Sequence, residues 1–92
     1  MEEDKQFFST YYSNLPQGIR SNFLLVLSLR IGYTQSRWRQ CFNRWSNGDY
    51  GKRDMYTYEK DRLEQLIHGD RWKEEYRIIT RQQADEKLST KP

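Results

Sequence analysis

Residues 24–45 have the sequence Leu24-Leu-Val-Leu-Ser-Leu-Arg-Ile-Gly-Tyr-Thr-Gln-Ser-Arg-Trp-Arg-Gln-Cys-Phe-Asn-Arg-Trp45. The spacing of its apolar residues on either side of Gly32 predicts two short helices joined by a tight turn. The longer run from Lys5 to Gly48 contains six basic residues and no aspartate or glutamate. Because every carboxylate on a surface weakens its attraction for phosphate, this run favours a nucleic-acid partner more strongly than the net charge of +3 does.

The first helix of the pair is predicted over residues 19–31. Its buried side is a ladder of residues four apart, Ile19, Phe23, Leu27 and Ile31, which Leu24, Leu25 and Val26 widen. Gly32 is expected to end this helix, because glycine reaches the left-handed region without a side-chain penalty. Thr34 is the predicted N-cap of the next helix, since its hydroxyl can accept from a free amide there.

The second helix of the pair is predicted from Thr34 to Trp45. Its apolar stripe has i, i+3, i+4, i+7 spacing and consists of Trp38, Cys41, Phe42 and Trp45. This spacing predicts core packing for the rings, rather than stacking on single-stranded bases, and a buried structural thiol. The outward positions all carry hydrogen-bond donors and no acid: Ser36, Arg39, Gln40 and Asn43 opposite the stripe, with Gln35, Arg37 and Arg44 on its flanks.

Three further helices are predicted over residues 4–14, 55–67 and 70–82, with a loop over residues 46–53. The expected inward residues are Phe7, Phe8, Tyr11, Tyr12 and Leu15 in the first of these and Tyr56, Leu63, Leu66 and Ile67 in the second. A short strand over residues 76–80 is an alternative to the end of the last of these helices. The predicted fold is therefore all-α: a compact four- to five-helix domain over residues 1–80 that contains a helix-turn-helix, with a disordered tail over residues 81–92.

The composition of the chain limits the classes of protein to which it can belong. The chain has 92 residues, of which 35% are hydrophobic, and a single cysteine, which cannot form an internal disulfide. The acids that follow Met1 do not resemble a secretory signal, and the apolar run over residues 23–29 is too short to span a bilayer. We expect a cytoplasmic protein without a membrane partner.

The helix pair resembles the helix-turn-helix of bacterial and phage repressors. That motif has apolar residues at its fourth, eighth, tenth, fifteenth and eighteenth positions, a small residue at the fifth and glycine at the ninth. With Gly32 as the ninth position, the others are matched by Leu27, Ser28, Ile31, Tyr33, Trp38 and Cys41. The stretch over residues 31–36, Ile-Gly-Tyr-Thr-Gln-Ser, is similar to the turn of the lambdoid phage repressors, where a Thr-Gln pair opens the recognition helix.

The resemblance implies a double-stranded DNA partner with the helix from Thr34 to Trp45 in the major groove. It implies that Gln35, Ser36 and Gln40 reach base edges, and we add Asn43, on the same outward side of the helix, as a fourth base-reading candidate. The residues expected to contact the DNA backbone are Arg20, Thr34, Arg37, Arg39 and Arg44, with Lys52 and Arg53 in the following loop, where a solvated role is equally open.

No catalytic, metal or cofactor motif is found in the sequence. His68 has no cysteine or second histidine as a metal partner, and there is no Ser-His-Asp set or glycine-rich phosphate loop. We therefore predict a protein that is not an enzyme and has no small-molecule substrate: a DNA-binding transcriptional regulator of phage or mobile-element type. A homodimer is left open as a second partner. The alternative is an adaptor that uses a basic aromatic surface to bind an acidic protein.

Overall fold

The computed structural model describes residues 2–51 and 55–89, with side chains for residues 4–51 and 55–83. These residues form helices and no strand, so the predicted all-α class is confirmed. The elements in chain order are α1 (Glu2–Asn14), α2 (Gln17–Arg30), α3 (Gln35–Ser46), α4 (Thr57–Ile67), a 3-10 turn (His68–Asp70) and α5 (Arg71–Ser89).

The core lies where α1 and α2 pack on α3 and where α2 packs on α5. Large aromatic side chains fill it, as the low aliphatic content of the sequence requires. Phe42 of α3 stacks on Tyr12 of α1, with ring centroids 4.7 Å apart. Phe23 of α2 meets the edge of Trp72 of α5 at 5.2 Å. Helix α2 therefore joins the first half of the chain to the last helix through Phe23.

Helix α5 is longer than the pattern predicts. We expected irregular chain from Arg81 onward, but the backbone continues as a helix to Ser89. Residues 81–89 contain neither glycine nor proline and are rich in Arg, Gln, Glu and Lys, which have high helix propensity. The open strand alternative over residues 76–80 is wrong, since these residues lie within α5. Residues 90–92 of the predicted tail lie outside the described residues.

The buried stripe of α1 differs from the predicted one. Phe7, expected inside, is 56% exposed, whereas Lys5 and Ser9 are buried beside Phe8 and Tyr12. The four buried residues have i, i+3, i+4, i+7 spacing and therefore form a regular helical stripe. This stripe is rotated about the helix axis relative to the predicted one, which contained only apolar and aromatic residues. Lys5 is tolerated inside because its Nζ donates to the Tyr50 carbonyl at 2.7 Å.

In helix α4, too, a residue predicted to be buried is exposed and a charged residue is buried. Tyr56 is 48% exposed and precedes the helix, while Glu59 is buried with Leu63 and Leu66. The Glu59 carboxylate accepts from the Tyr56 backbone N–H at 3.0 Å and so caps the start of α4. The cap explains why an acid is buried at this position.

A hydrogen-bond chain fastens α5 to α1. The Trp72 indole donates to the Tyr11 hydroxyl at 2.6 Å, and that hydroxyl donates to the Asp70 carboxylate. Burial and the Asp70 bond together raise the pKa of Tyr11 to about 12. Within the described part of the chain, no helix has the length and apolar content that crossing a membrane requires.

Candidate nucleic-acid interface

The turn between α2 and α3 is held by side chains from both helices. Gly32 and Tyr33 both have positive φ, 133° and 67°. The Ser28 hydroxyl donates to the Tyr33 carbonyl and the Trp38 indole donates to the Gly32 carbonyl, each at 2.7 Å. These two bonds offset the backbone strain at Tyr33 and fix the direction in which α3 leaves the turn.

Helix α3 begins at Gln35, and Thr34 is its N-cap as predicted. The Thr34 Oγ1 accepts from the Arg37 backbone N–H at 3.1 Å. The first turn contains no acidic side chain. The positive end of the helix dipole is therefore not compensated by a carboxylate of the helix itself.

The inner side of α3 anchors it to the core. Trp38, Phe42 and Trp45 are 3%, 0% and 6% exposed, which confirms the predicted stripe for its three aromatic members. Their faces are covered by other aromatic rings and, at Trp45, by the Lys5 ammonium 6.0 Å from the ring centroid. The three rings therefore have too little free surface to stack on nucleobases. Cys41 is half-buried, and burial raises the pKa of its thiol although Arg44 and Arg37 lower it.

The outward face of α3 consists of Ser36, Arg39, Gln40 and Asn43, all of them exposed. Of the flanking residues, Arg37 and Arg44 are exposed and Gln35 is half-buried. The face therefore presents hydroxyl, amide and guanidinium groups over about two turns, and no residue of α3 is acidic.

The three arginines of α3 have different surroundings. Arg37 lies over the ring of Tyr33, 4.3 Å from its centroid. Arg44 makes an exposed ion pair with Asp49 at 3.8 Å. Arg39 has no ion-pair partner among the described side chains. Arg39 is therefore the α3 arginine whose charge is least engaged by the protein.

Arg20 has a structural role that sequence reasoning missed. Its guanidinium donates to the carbonyls of Leu15 at 3.1 Å and Ser13 at 2.7 Å, and it lies over the Tyr12 ring. These carbonyls end α1, so Arg20 satisfies acceptors that the helix leaves open. The only signal in the sequence is the position of Arg20 shortly after the break at Pro16. Lys52 and Arg53 lie outside the described residues.

A cleft of about 230 Å³ lies beside α3, between this helix and the start of α4. We call it the α3–α4 cleft. Its inner lining includes the buried side chains of Lys5, Trp45 and Glu59, and its rim includes Tyr33, Arg37, Arg44 and Tyr56. The interaction of the Tyr33 hydroxyl with the Glu59 carboxylate is the main cause that raises the pKa of Tyr33 to about 12. No local pattern could have found the cleft, since it needs buried charges from α1 and α4.

No group of three or more His, Cys, Asp or Glu side chains converges to hold a metal ion in the described part of the molecule. Comparison of the chain with models of known families, with characterised proteins and with solved structures found no match.

Proposed function

We propose that this protein binds double-stranded DNA at a specific sequence and regulates transcription, with α3 in the major groove. One observation carries the proposal: α3 buries an aromatic stripe and exposes hydroxyl, amide and guanidinium groups on its outer side, with no acid. A helix fits the major groove, and base edges there are recognised by such donors and acceptors.

The outward face supplies the base-reading groups. Gln40 lies at its centre, with Ser36 and Asn43 one turn away on either side, and all three side chains are exposed. A glutamine or asparagine amide can donate to and accept from adenine together, while serine can pair with several bases. Gln35, which is half-buried at the start of the helix, would reach bases only at the edge of the contact.

The arginines supply the backbone contacts. Arg39 lies on the outward face and has no ion-pair partner among the described side chains, and Arg37 and Arg44 lie on the flank away from Arg39. The backbone amides at the start of α3 are a further phosphate site, because Thr34 accepts from only one of them. Arg20 is omitted from the proposed contact, since its guanidinium binds carbonyls at the end of α1.

The proposal is tested by repeated selection of bound duplexes from a random library, followed by electrophoretic mobility shifts at low salt. We expect a shared sequence to be enriched and random duplex to be shifted more weakly. The triple variant Ser36→Ala, Gln40→Ala, Asn43→Ala should lose the preference and keep the weak binding, because none of these side chains is charged. Absence of any shift at low salt would contradict the proposal. The stoichiometry of the shifted complex shows whether the protein binds as a homodimer, which the sequence left open.

The second candidate is an adaptor that binds an acidic protein. The observation in its favour is a row of exposed tyrosine rings near the arginines: Tyr33, Tyr56 and Tyr58 are 39%, 48% and 61% exposed. Aromatic residues and arginine are enriched at protein interfaces. The same mobility experiment separates the two candidates, since an adaptor is not expected to shift duplex DNA.

A further inference from the structure

A second groove, of about 560 Å³, lies between α1, the second half of α4 and the start of α5. We call it the Phe7 groove. Phe7 borders it on α1, and Asp61, Glu64, Ile67 and Arg71 are among the residues that border it on α4 and α5. It shares no lining residue with the α3–α4 cleft and is a separate surface of the molecule.

Phe7 gives the groove an apolar side chain that solvent reaches. Asp4 pairs with Lys60 at 3.1 Å and Tyr11 binds Asp70, so α1 is held to the start and to the end of α4. Positions 4, 7 and 11 share one side of a helix, which places Phe7 beside the middle of α4. Although the ring touches its neighbour along the chain, 56% of the side chain is exposed. A partner that covers this ring gains the free energy of burying it.

The charges of the groove are separated along its length. Asp61 and Glu64 lie at one end, and Arg71 lies at the other, in the next helix. None of the three has an ion-pair partner within the described part of the chain. Lys60, whose charge interacts with both acids, is itself paired with Asp4. The groove therefore has an acidic end and a basic end, with Phe7 between them.

A groove with this order of charges is complementary to itself. When a second copy is related to the first by a two-fold axis at the middle of the groove, the basic end of each copy meets the acidic end of the other. The same rotation brings the two Phe7 rings to the centre of the contact. A basic peptide would match the acidic end alone and would place a like charge against Arg71.

We propose that the protein forms a two-fold symmetric homodimer through the Phe7 groove. The Phe7 rings form the apolar centre of the interface, and Arg71 of each copy pairs with Asp61 and Glu64 of the other. Burial of the rings supplies the affinity, while the opposite charges fix the relative orientation of the two copies.

This arrangement leaves α3 uncovered in both copies. Helix α3 contacts Tyr12 and Ser13 of α1, which follow Phe7 by five and six residues and therefore lie on the other side of that helix. The dimer thus presents two copies of the outward face of α3. One consequence, and only this one, rests on the proposed function: the complex with DNA should contain two chains.

The dimer is tested by sedimentation equilibrium of the full chain, without DNA, from micromolar to submillimolar concentration. We expect a reversible equilibrium between one and two chains. Phe7→Ala should weaken the dimer at least about tenfold, because it removes the ring at the centre of the contact. Tyr58→Ala is the matched control, since Tyr58 is 61% exposed and does not line the groove. Circular dichroism at high dilution should show both variants folded.

Charge reversal tests the orientation of the two copies. Arg71→Glu alone, and Asp61→Lys combined with Glu64→Lys, should each be monomeric, because like charges then face each other. Arg71→Glu lowers the net charge from +3, so general repulsion cannot cause its loss of pairing. Arg62→Glu makes the same change on α4 outside the groove and should still dimerise.

An equimolar mixture of the two reversed proteins should dimerise again. In such a pair each of the two contacts joins opposite charges, whereas a role of these residues within one chain would not be restored by mixing. The proposal is overturned by an unchanged chain that stays monomeric, by a dimer that Phe7→Ala leaves intact, or by a mixture that stays monomeric.

The consequence for DNA is measured separately, by the stoichiometry of the complex with the selected duplex. We expect two chains for the unchanged protein and one for Arg71→Glu. Failure of the protein to shift any duplex would remove the proposed function without touching the dimer, because the sedimentation experiments contain no DNA.

Discussion

Helices α3 and α5 are built alike on the inside and differently on the outside. Each buries a large aromatic side chain against α2, Phe42 in α3 and Trp72 in α5. On α5, Arg77 bonds Glu74 at 2.7 Å and Lys73 lies 3.8 Å from Asp70. On α3, the helix itself contains no acid that could pair with its arginines.

This difference in ion pairing determines how much positive charge each helix offers to a partner. Ion pairs three residues apart add a few tenths of a kcal/mol to a helix and cancel its field at a distance. The charges of Lys73 and Arg77 on α5 are therefore compensated locally. The charge on α3 is compensated only in part, by Asp49 at Arg44, and the remainder is available to a partner. Buried aromatic side chains thus anchor both helices, but Lys73 and Arg77 of α5 are paired within the protein, whereas part of the charge on α3 is free to pair with a partner.

The largest effect on stability should come from removing one of the buried aromatic rings that attach α3 and α5 to α2. Phe42→Ala removes a fully buried ring that contacts Tyr12, Phe23 and Trp38, and should lower the free energy of unfolding by about 3–5 kcal/mol. Chemical denaturation followed by circular dichroism measures this. Phe7→Ala is the matched control, because Phe7 is 56% exposed, and it should cost less than about 1 kcal/mol. Equal losses for the two variants would contradict the packing of α3.

The attachment of α5 should be weakened by Tyr11→Phe. This change leaves the buried Trp72 indole without its acceptor and should cost about 1–3 kcal/mol at neutral pH. Tyr58→Phe is the control, since Tyr58 is 61% exposed.

The same residue predicts an alkaline dependence. Burial, then the bond to Asp70, raises the pKa of Tyr11 to about 12 from a usual value of 10. The stabilisation from the neutral phenol is therefore complete below pH 10 and is lost as the pH rises through about 12. Unfolding measured between these values should show a smaller loss in the Tyr11→Phe protein than in the unchanged one. An identical decline would mean that Tyr11 does not titrate in this range.

The exposed sides of α3 and α5 can be compared by replacing one exposed glutamine on each helix with alanine. Gln40→Ala on α3 should cost about 1–3 kcal/mol on the selected duplex and little on random DNA, because an amide releases no counterion. Gln82→Ala on α5 is exposed too and should affect neither. Fluorescence anisotropy with labelled duplexes measures the four affinities. Equal losses on both duplexes would make Gln40 a positioning residue and leave base reading to Ser36 and Asn43.

The smallest expected change is in salt dependence. Three phosphate contacts, from Arg37, Arg39 and Arg44, predict a slope of log affinity against log salt of roughly −3. Arg39→Ala should flatten that slope by nearly one unit. Arg77→Ala removes the same charge from α5, where Arg77 is paired with Glu74, and should leave the slope unchanged. If both variants flatten the slope equally, the comparison of α3 with α5 has no bearing on DNA.

Sequence periodicity predicted the parts of the fold that depend on near neighbours. The stripe of Trp38, Phe42 and Trp45 and the N-cap at Thr34 were both correct, because spacing and capping act within one or two turns of a helix. The outward positions of α3 followed from the same geometry, and Ser36, Arg39, Gln40 and Asn43 are exposed as expected.

The buried charges were not predictable in this way. Lys5 is paired with a carbonyl 45 residues away, and Tyr11 with a carboxylate 59 residues away. A local pattern placed Tyr11 inside without its partner, and it places a charged residue such as Lys5 outside, since an unpaired charge is costly to bury. Only the assembled helices provide the partner that removes this cost.

The amino-acid sequence by itself therefore determined that the chain is helical, which side of α3 is buried and which groups that helix exposes, because each follows from short-range spacing. Tertiary structure alone decided that Arg20 closes the end of α1, and that Lys5 and Glu59 line a cleft beside Arg37 and Arg44. The reason is physical. A charged side chain takes its role from whichever partner lies within a few ångströms, and for these residues that partner is brought near by packing rather than by the order of the chain.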